Sequence, residues 1–139
     1  MKIVIVDDDQ LVSLSLKTIL EAQDDIHLIK NTENVGFPKG CNMGVAATIG
    51  TEDEDADIFL LNNDTRLCER SLENLQKALY SADDIGMVGS CSNYAGNDQT
   101  VKIECSLPEE YVEYGNSINV DMEHPYEERV RLCGFAVLI

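Results

Sequence analysis

The chain has 139 residues, enough for one domain with a core of its own, and its 44% apolar content is ordinary for a globular protein. Against 26 acidic residues stand 10 lysines and arginines, a net charge of −16, which argues against nucleic acid and anionic membranes as partners. It also means that a phosphate ligand would need a cation or helix-terminal amides to offset repulsion.

No apolar run of about 18 residues is present to span a membrane. The opening "MKIVIVDDDQ" turns acidic too soon for a secretory signal. Cys41, Cys68, Cys91, Cys105 and Cys133 are odd in number and form no CxxC pair. They point to reduced thiols and a cytoplasmic location, not to disulfides or zinc. His27 and His124 have no second ligand at metal spacing.

In chain order, "KIVIV" is a β-branched run that predicts a parallel strand covered on both faces, ending in Asp7, Asp8 and Asp9. "LVSLSLKTILEA" spaces Leu11, Leu14, Ile19 and Leu20 as a helix would, and "IHLIK" is a second short strand. The polar, glycine-rich "NTENVGFPKGCNMG" is a loop, followed by a small-residue helix from about Gly40. "TEDEDA" is a solvated acidic turn. "DIFLLN" is a third strand, and "RSLENLQKALYSA" is the clearest amphipathic helix. That helix has Leu72, Leu75 and Leu79 on one side, Glu73, Asn74 and Lys77 on the other, and Ser71 as its N-cap. "IGMVGSC" is a fourth strand, "VKIEC" a weaker one within a polar stretch, and "RLCGFAVLI" a final apolar strand. The alternation predicts an α/β, three-layer fold with a mostly parallel, Rossmann-like sheet.

Ligands of open α/β sheets bind beyond the carboxyl ends of the strands. Polar groups follow three predicted strands: Asp7 to Asp9, the loop from Asn31 to Asn42, and Asn62 to Asp64. Each can be a solubilising turn, but three on one edge suggest a site. Gly36 and Gly40 permit close backbone approach, and the amides of Asn31, Asn34 and Asn42 suit a nucleobase or sugar edge. The plainer reading is a glycine turn capping a helix. Asp64 is the best candidate ligand for Mg²⁺ or Mn²⁺, one carboxylate completed by diphosphate oxygens and water. Asn62 and Asn63 would bond phosphate or ribose, unless Asp64 and Thr65 merely cap the next helix.

From about Lys30 onward the chain resembles a family 2 glycosyltransferase, a nucleotide-sugar-dependent enzyme of the GT-A fold. "NTENVGFPKGCNMGV" resembles that family's asparagine and glycine loop, and "ADIFLLNNDT" its strand ending in an Asp-x-Asp-like motif. "DIGMVGSCSNYAG" and "RLCGFAVLI" resemble two later strands. The resemblance implies that Asp7 bonds the nucleobase and that Gly36, Phe37 and Asn42 line the nucleoside. Asn62 and Asp64 would hold diphosphate and metal, for inverting transfer from a nucleotide diphosphate sugar. The family's proline-threonine-tyrosine-like first strand is absent, and its base-bearing acidic motif would follow "GFAVLI". The expectation is a nucleotide-binding portion, incomplete as a catalyst.

"MKIVIVDDDQLVSLSLKTILEAQDDIHLI" instead resembles the opening of a response-regulator receiver domain, flavodoxin-like in fold. That would place Mg²⁺ at Asp7 and Asp8, or at Asp8 and Asp9. Its phosphoacceptor position is Asn62, an amide that cannot take the phosphoryl group. Together the two resemblances imply a join of families near Ile29. A terminal apolar strand also suggests a homodimer through an exposed sheet edge.

Overall fold

The computed structural model describes residues 3–7, 26–30, 33–120 and 126–139. The helix expected at "LVSLSLKTILEA", Asp8, Asp9 and Asn31 lie outside them. The chain divides into two compact units, Met1–Ala56 and Asp57–Ile139.

In the first unit, β1 (Ile3–Asp7) and β2 (Ile26–Lys30) pair in parallel, with Ile3 opposite Ile26 and Asp7 opposite Lys30. They are the β-branched run "KIVIV" and the short strand "IHLIK" expected from the sequence. α1 (Phe37–Ala46) runs alongside β1. It begins three residues before Gly40, the start expected from the sequence, for two local reasons. Gly36 takes φ 75°, open to glycine at no steric penalty, and Pro38 suits a helix's first turn because it needs no donor there. The Gly40 N–H then donates to the Gly36 carbonyl at 3.0 Å, closing that turn.

The second unit contains β3 (Phe59–Leu61), α2 (Ser71–Leu79), β4 (Val88–Gly89), α3 (Pro108–Ile118) and β5 (Ala136–Leu138). Its sheet has the order β3-β5-β4, and β5 is antiparallel to both neighbours. The α/β character is as expected, but the three-layer, mostly parallel, Rossmann-like sheet is not what forms. A parallel β5 would require the chain to cross back to the opposite end of the sheet. Instead the segment after β4 stays tied to the edge where β4 ends, and β5 starts from that edge. An apolar run announces a buried strand but says nothing of its direction.

β5 is also central. Phe59 lies opposite Leu138 on one side and Val88 opposite Leu138 on the other. Ile58 and Ile139 extend the pairing by exchanging two N–H···O bonds of 3.0 Å each. With both of its edges paired, the last strand is not the exposed edge expected of it.

The core forms where α2 lies on this sheet. Leu75, Ala78 and Leu79 bury against Val88 and Leu138, with Phe59, Leu72 and Ile85 around them. On the solvent side Glu73 and Lys77 pair at 3.5 Å, an exposed contact of small worth. Asn74, expected on that side, instead donates to Asn119 Oδ1 at 2.8 Å. Ser71 is the first helical residue and not the cap. The cap position is Arg70, in the left-handed region at φ 60°, with no side-chain cap bond. The start of α2 is held by the end of α3: the Glu69 N–H donates to Asn116 Oδ1 at 2.8 Å, and Asn119 Nδ2 donates to Ser71 Oγ at 3.3 Å.

α3 itself was not foreseen. It opens Leu107-Pro108-Glu109-Glu110, with proline in the first turn and acids facing the positive end of the helix dipole. Leu107 has no acceptor to offer, so Glu110 supplies the bonding: its Oε2 accepts the Ser106 N–H at 2.7 Å and the Leu107 N–H at 3.1 Å. Just before it, the Tyr111 hydroxyl donates to the Cys105 carbonyl at 3.1 Å. The strand expected at "VKIEC", residues 101–105, does not form; a single parallel bridge, Ser92 to Thr100, lies just before it.

The two backbone bonds hold the Glu110 carboxyl below its ordinary range. A carboxylate so lowered stabilises the fold above its unfolded pKa, and that help fades as pH falls through the folded value. Glu110→Gln is therefore expected to lower the urea midpoint at neutral pH. The gap to wild type should close as the pH drops below the normal glutamate range of about 4.3. A gap independent of pH would mean that the charge plays no part.

Among the described residues, no helix is long and apolar enough to cross a membrane. All five cysteines are free thiols. The half-buried setting of Cys105, followed by the Glu110 carboxylate, pushes its thiol pKa up and away from reactivity.

Candidate functional site

Because β5 runs against its neighbours, the carboxyl ends of β3 and β4 and the amino end of β5 share one edge of the sheet. Residues 62–64, 90–92 and 133–135 follow or precede those strands there. In open parallel α/β sheets ligands lie beyond the carboxyl ends of the strands, and β3 and β4 present theirs on this edge.

The Asn62 turn is anchored by its backbone. The Asn62 N–H donates to the Phe135 carbonyl at 2.9 Å, and the Asn62 carbonyl accepts the Thr65 N–H at 3.2 Å. Both backbone groups of Asn62 are thus used, and its side chain is left over. Among the described residues the side chains of Asn62, Asn63 and Asp64 make no hydrogen bond or ion pair, and Asp64 is exposed. Five residues lie between Thr65 and the first residue of α2, so Asp64 and Thr65 do not cap that helix.

Asp64 meets a cation as a single carboxylate. Among the described residues no group of three or more His, Cys, Asp or Glu could hold a metal ion. A resident metal cage therefore does not fit the described residues. A hard cation brought by a diphosphate, which supplies its remaining oxygens, does fit one free and exposed carboxylate. Of the alternative metal acids, Asp7 ends β1 and Asp8 lies outside the described residues.

The nucleoside candidates stand in the first unit. Asn34 Oδ1 accepts the Gly36 N–H at 2.9 Å, an Asx turn that leads into α1. One face of Asn34 is thereby used on its own backbone, and its NH₂ remains. Nothing crowds the position where a Cβ of Gly36 would be, so its positive φ, not close packing, calls for glycine. Phe37, the first residue of α1, is 56% exposed, one of several large apolar side chains at the surface. Asn42, one turn further along, is exposed and has no partner among the described residues. The helix start also leaves the Phe37 and Lys39 N–H groups unpaired within α1.

One residue of this edge escaped the sequence reading. Gln99 is only 4% exposed, the single buried polar side chain among the described residues. Its Oε1 accepts the Cys133 N–H at 2.6 Å and Asn97 Nδ2 at 3.0 Å, and its Nε2 donates to the Ser90 carbonyl at 2.7 Å. "SNYAGNDQT" reads as turn chemistry, and no periodicity marks one glutamine in it as buried. Beside it, Asn97, Asp98, Glu128, Arg129, Val130 and Arg131 line an open depression of about 340 Å³.

Comparison with protein families, with curated proteins and with solved structures returns no match.

Proposed function

We propose that the chain binds a nucleotide diphosphate sugar together with Mg²⁺ or Mn²⁺, as the donor-binding portion of an inverting glycosyltransferase. The observation that carries this reading is the Asn62 to Asp64 turn. It presents one uncommitted carboxylate and two uncommitted amides beyond the carboxyl end of β3, on a backbone fixed at Phe135. Asp64 takes the cation, and the Asn62 amide bonds phosphate or ribose oxygen. The net charge of −16 repels a bare diphosphate, and with no helix N-terminus at this turn a cation is what offsets the repulsion. Such a cation, when bound, offsets charge on the leaving diphosphate.

The test is thermal denaturation with UDP, GDP and dTDP, each with and without Mn²⁺. Ligand at ~100 times its dissociation constant adds roughly 2.7 kcal/mol of stability, an easily measured shift. The expected result is a shift that needs both nucleotide and cation and vanishes in Asp64→Ala. A shift with cation alone, lost in Asp8→Ala, would favour the receiver-like reading. No shift with any combination would overturn the proposal.

A further inference from the structure

We infer that Gln99 is a positioning residue for the Asp64 turn, an inference that rests on the reading of Asp64 as the cation's ligand. The buried carboxamide ties the end of β4, through the Ser90 carbonyl, to the approach of β5, through the Cys133 N–H, at 2.7 and 2.6 Å. Two residues after Cys133 comes Phe135, whose carbonyl accepts the Asn62 N–H at 2.9 Å. The path from Gln99 to the turn that bears Asp64 is thus short and made of backbone. Asn97 braces the same approach, donating from Nδ2 to the Arg131 carbonyl at 3.2 Å while its Oδ1 accepts the Gln99 N–H at 3.0 Å.

Gly89 makes room for this arrangement. A Cβ there would lie 3.1 Å from Gln99 Nε2 and 3.4 Å from Leu132 Cδ1, so any side chain at 89 would press on the carboxamide. A glutamine with one bond to water would be a solubilising residue. This one is out of water and satisfies a backbone donor, a backbone acceptor and a side-chain donor from three separate segments. Removing it leaves the Ser90 carbonyl and the Cys133 N–H, both half-buried, without these partners. β5 would then be free to shift at its amino end, where Asn62 is attached.

The experiment compares wild type with Gln99→Met, which keeps the volume and loses the bonds. Gly89→Ala displaces the carboxamide without removing it, and serves if the first variant fails to fold. Leu72→Ala is the control, destabilising the same unit from its core. Amide hydrogen exchange on the protein alone should speed up at Asn62 and Thr65 by about tenfold or more in Gln99→Met. Exchange at Leu75 and Leu79 should change no more than it does in Leu72→Ala. In the presence of nucleotide, the Mn²⁺ concentration for half the thermal shift should rise about tenfold, the lower end of what losing outer support costs a metal ligand. Leu72→Ala should leave that concentration unchanged. Uniform acceleration across the unit, or an unchanged Mn²⁺ requirement in a wild type that does bind, would overturn the inference. If wild type shows no response to nucleotide and cation, the reading of Asp64 falls, and the exchange pattern still decides whether Gln99 holds the turn.

Discussion

Leu138→Ala is expected to cost about 3 kcal/mol or more, a large share of a small domain's stability of roughly 5–15 kcal/mol. Leu138 is 2% exposed, in the middle strand of a three-stranded sheet, and packs against Leu75, Ala78, Leu79 and Val88. The strands here are short, with β4 only two residues long, so ladder hydrogen bonds alone cannot hold them. Side-chain burial between α2 and β5 must do it. The neighbouring Ile139 is 43% exposed, and Ile139→Ala should cost under about 1 kcal/mol. Urea unfolding of the two variants decides the matter through their midpoints, with the slope unchanged. Equal losses in both would mean that β5 is not buried between its neighbours as described.

A second large effect is expected at Gly115, within α3. A Cβ on this residue would lie 2.2 Å from Cys68 Sγ and 3.3 Å from Cys68 Cβ. In an open helix, glycine to alanine is a gain of about 1 kcal/mol. Here overpacking, at about 1–3 kcal/mol, works against that gain. Rotation about the single χ1 of Cys68 moves the sulfur but not the Cβ, so escape is partial. Gly115→Ala should therefore be net destabilising by about 1–2 kcal/mol, the reverse of its helix propensity. The pair Cys68→Ala with Gly115→Ala should recover most of the loss, because the sulfur is gone and the propensity gain remains. A double-mutant cycle measures this coupling directly. Additive effects would show that the two residues are not in contact. Glu69, next to Cys68, is bonded to Asn116, next to Gly115, so loosening here would also release the start of α2.

Several elements were legible from local pattern. The β-branched run "KIVIV" and the short apolar stretch "IHLIK" form strands at residues 3–7 and 26–30, and they are parallel. The leucine spacing of α2 placed its buried face correctly, because burial repeats with the helix turn. α3 was missed because its face alternates tyrosine, glutamate and asparagine with few aliphatics, and none of its residues is fully buried. What marks it is terminal chemistry, proline in the first turn and Glu110 reaching back to Ser106 and Leu107. At the site, the turn at Asn62 to Asp64 was visible as polar residues ending an apolar run. Gln99 was not, because a buried glutamine owes its place to partners at Ser90 and Cys133, distant in the chain.

The sequence by itself determined which segments are apolar enough to be strands, which face of α2 turns inward, and where uncommitted carboxylates and amides follow a strand. These are properties of neighbours in the chain, set by side-chain periodicity and by the conformations that glycine and proline permit. Only the tertiary structure decided that the final strand lies in the centre of its sheet and runs against both neighbours. The reason is physical: strand order and direction depend on how a long, weakly patterned segment returns. That return is held here by hydrogen bonds from one buried carboxamide to backbone groups far apart in sequence.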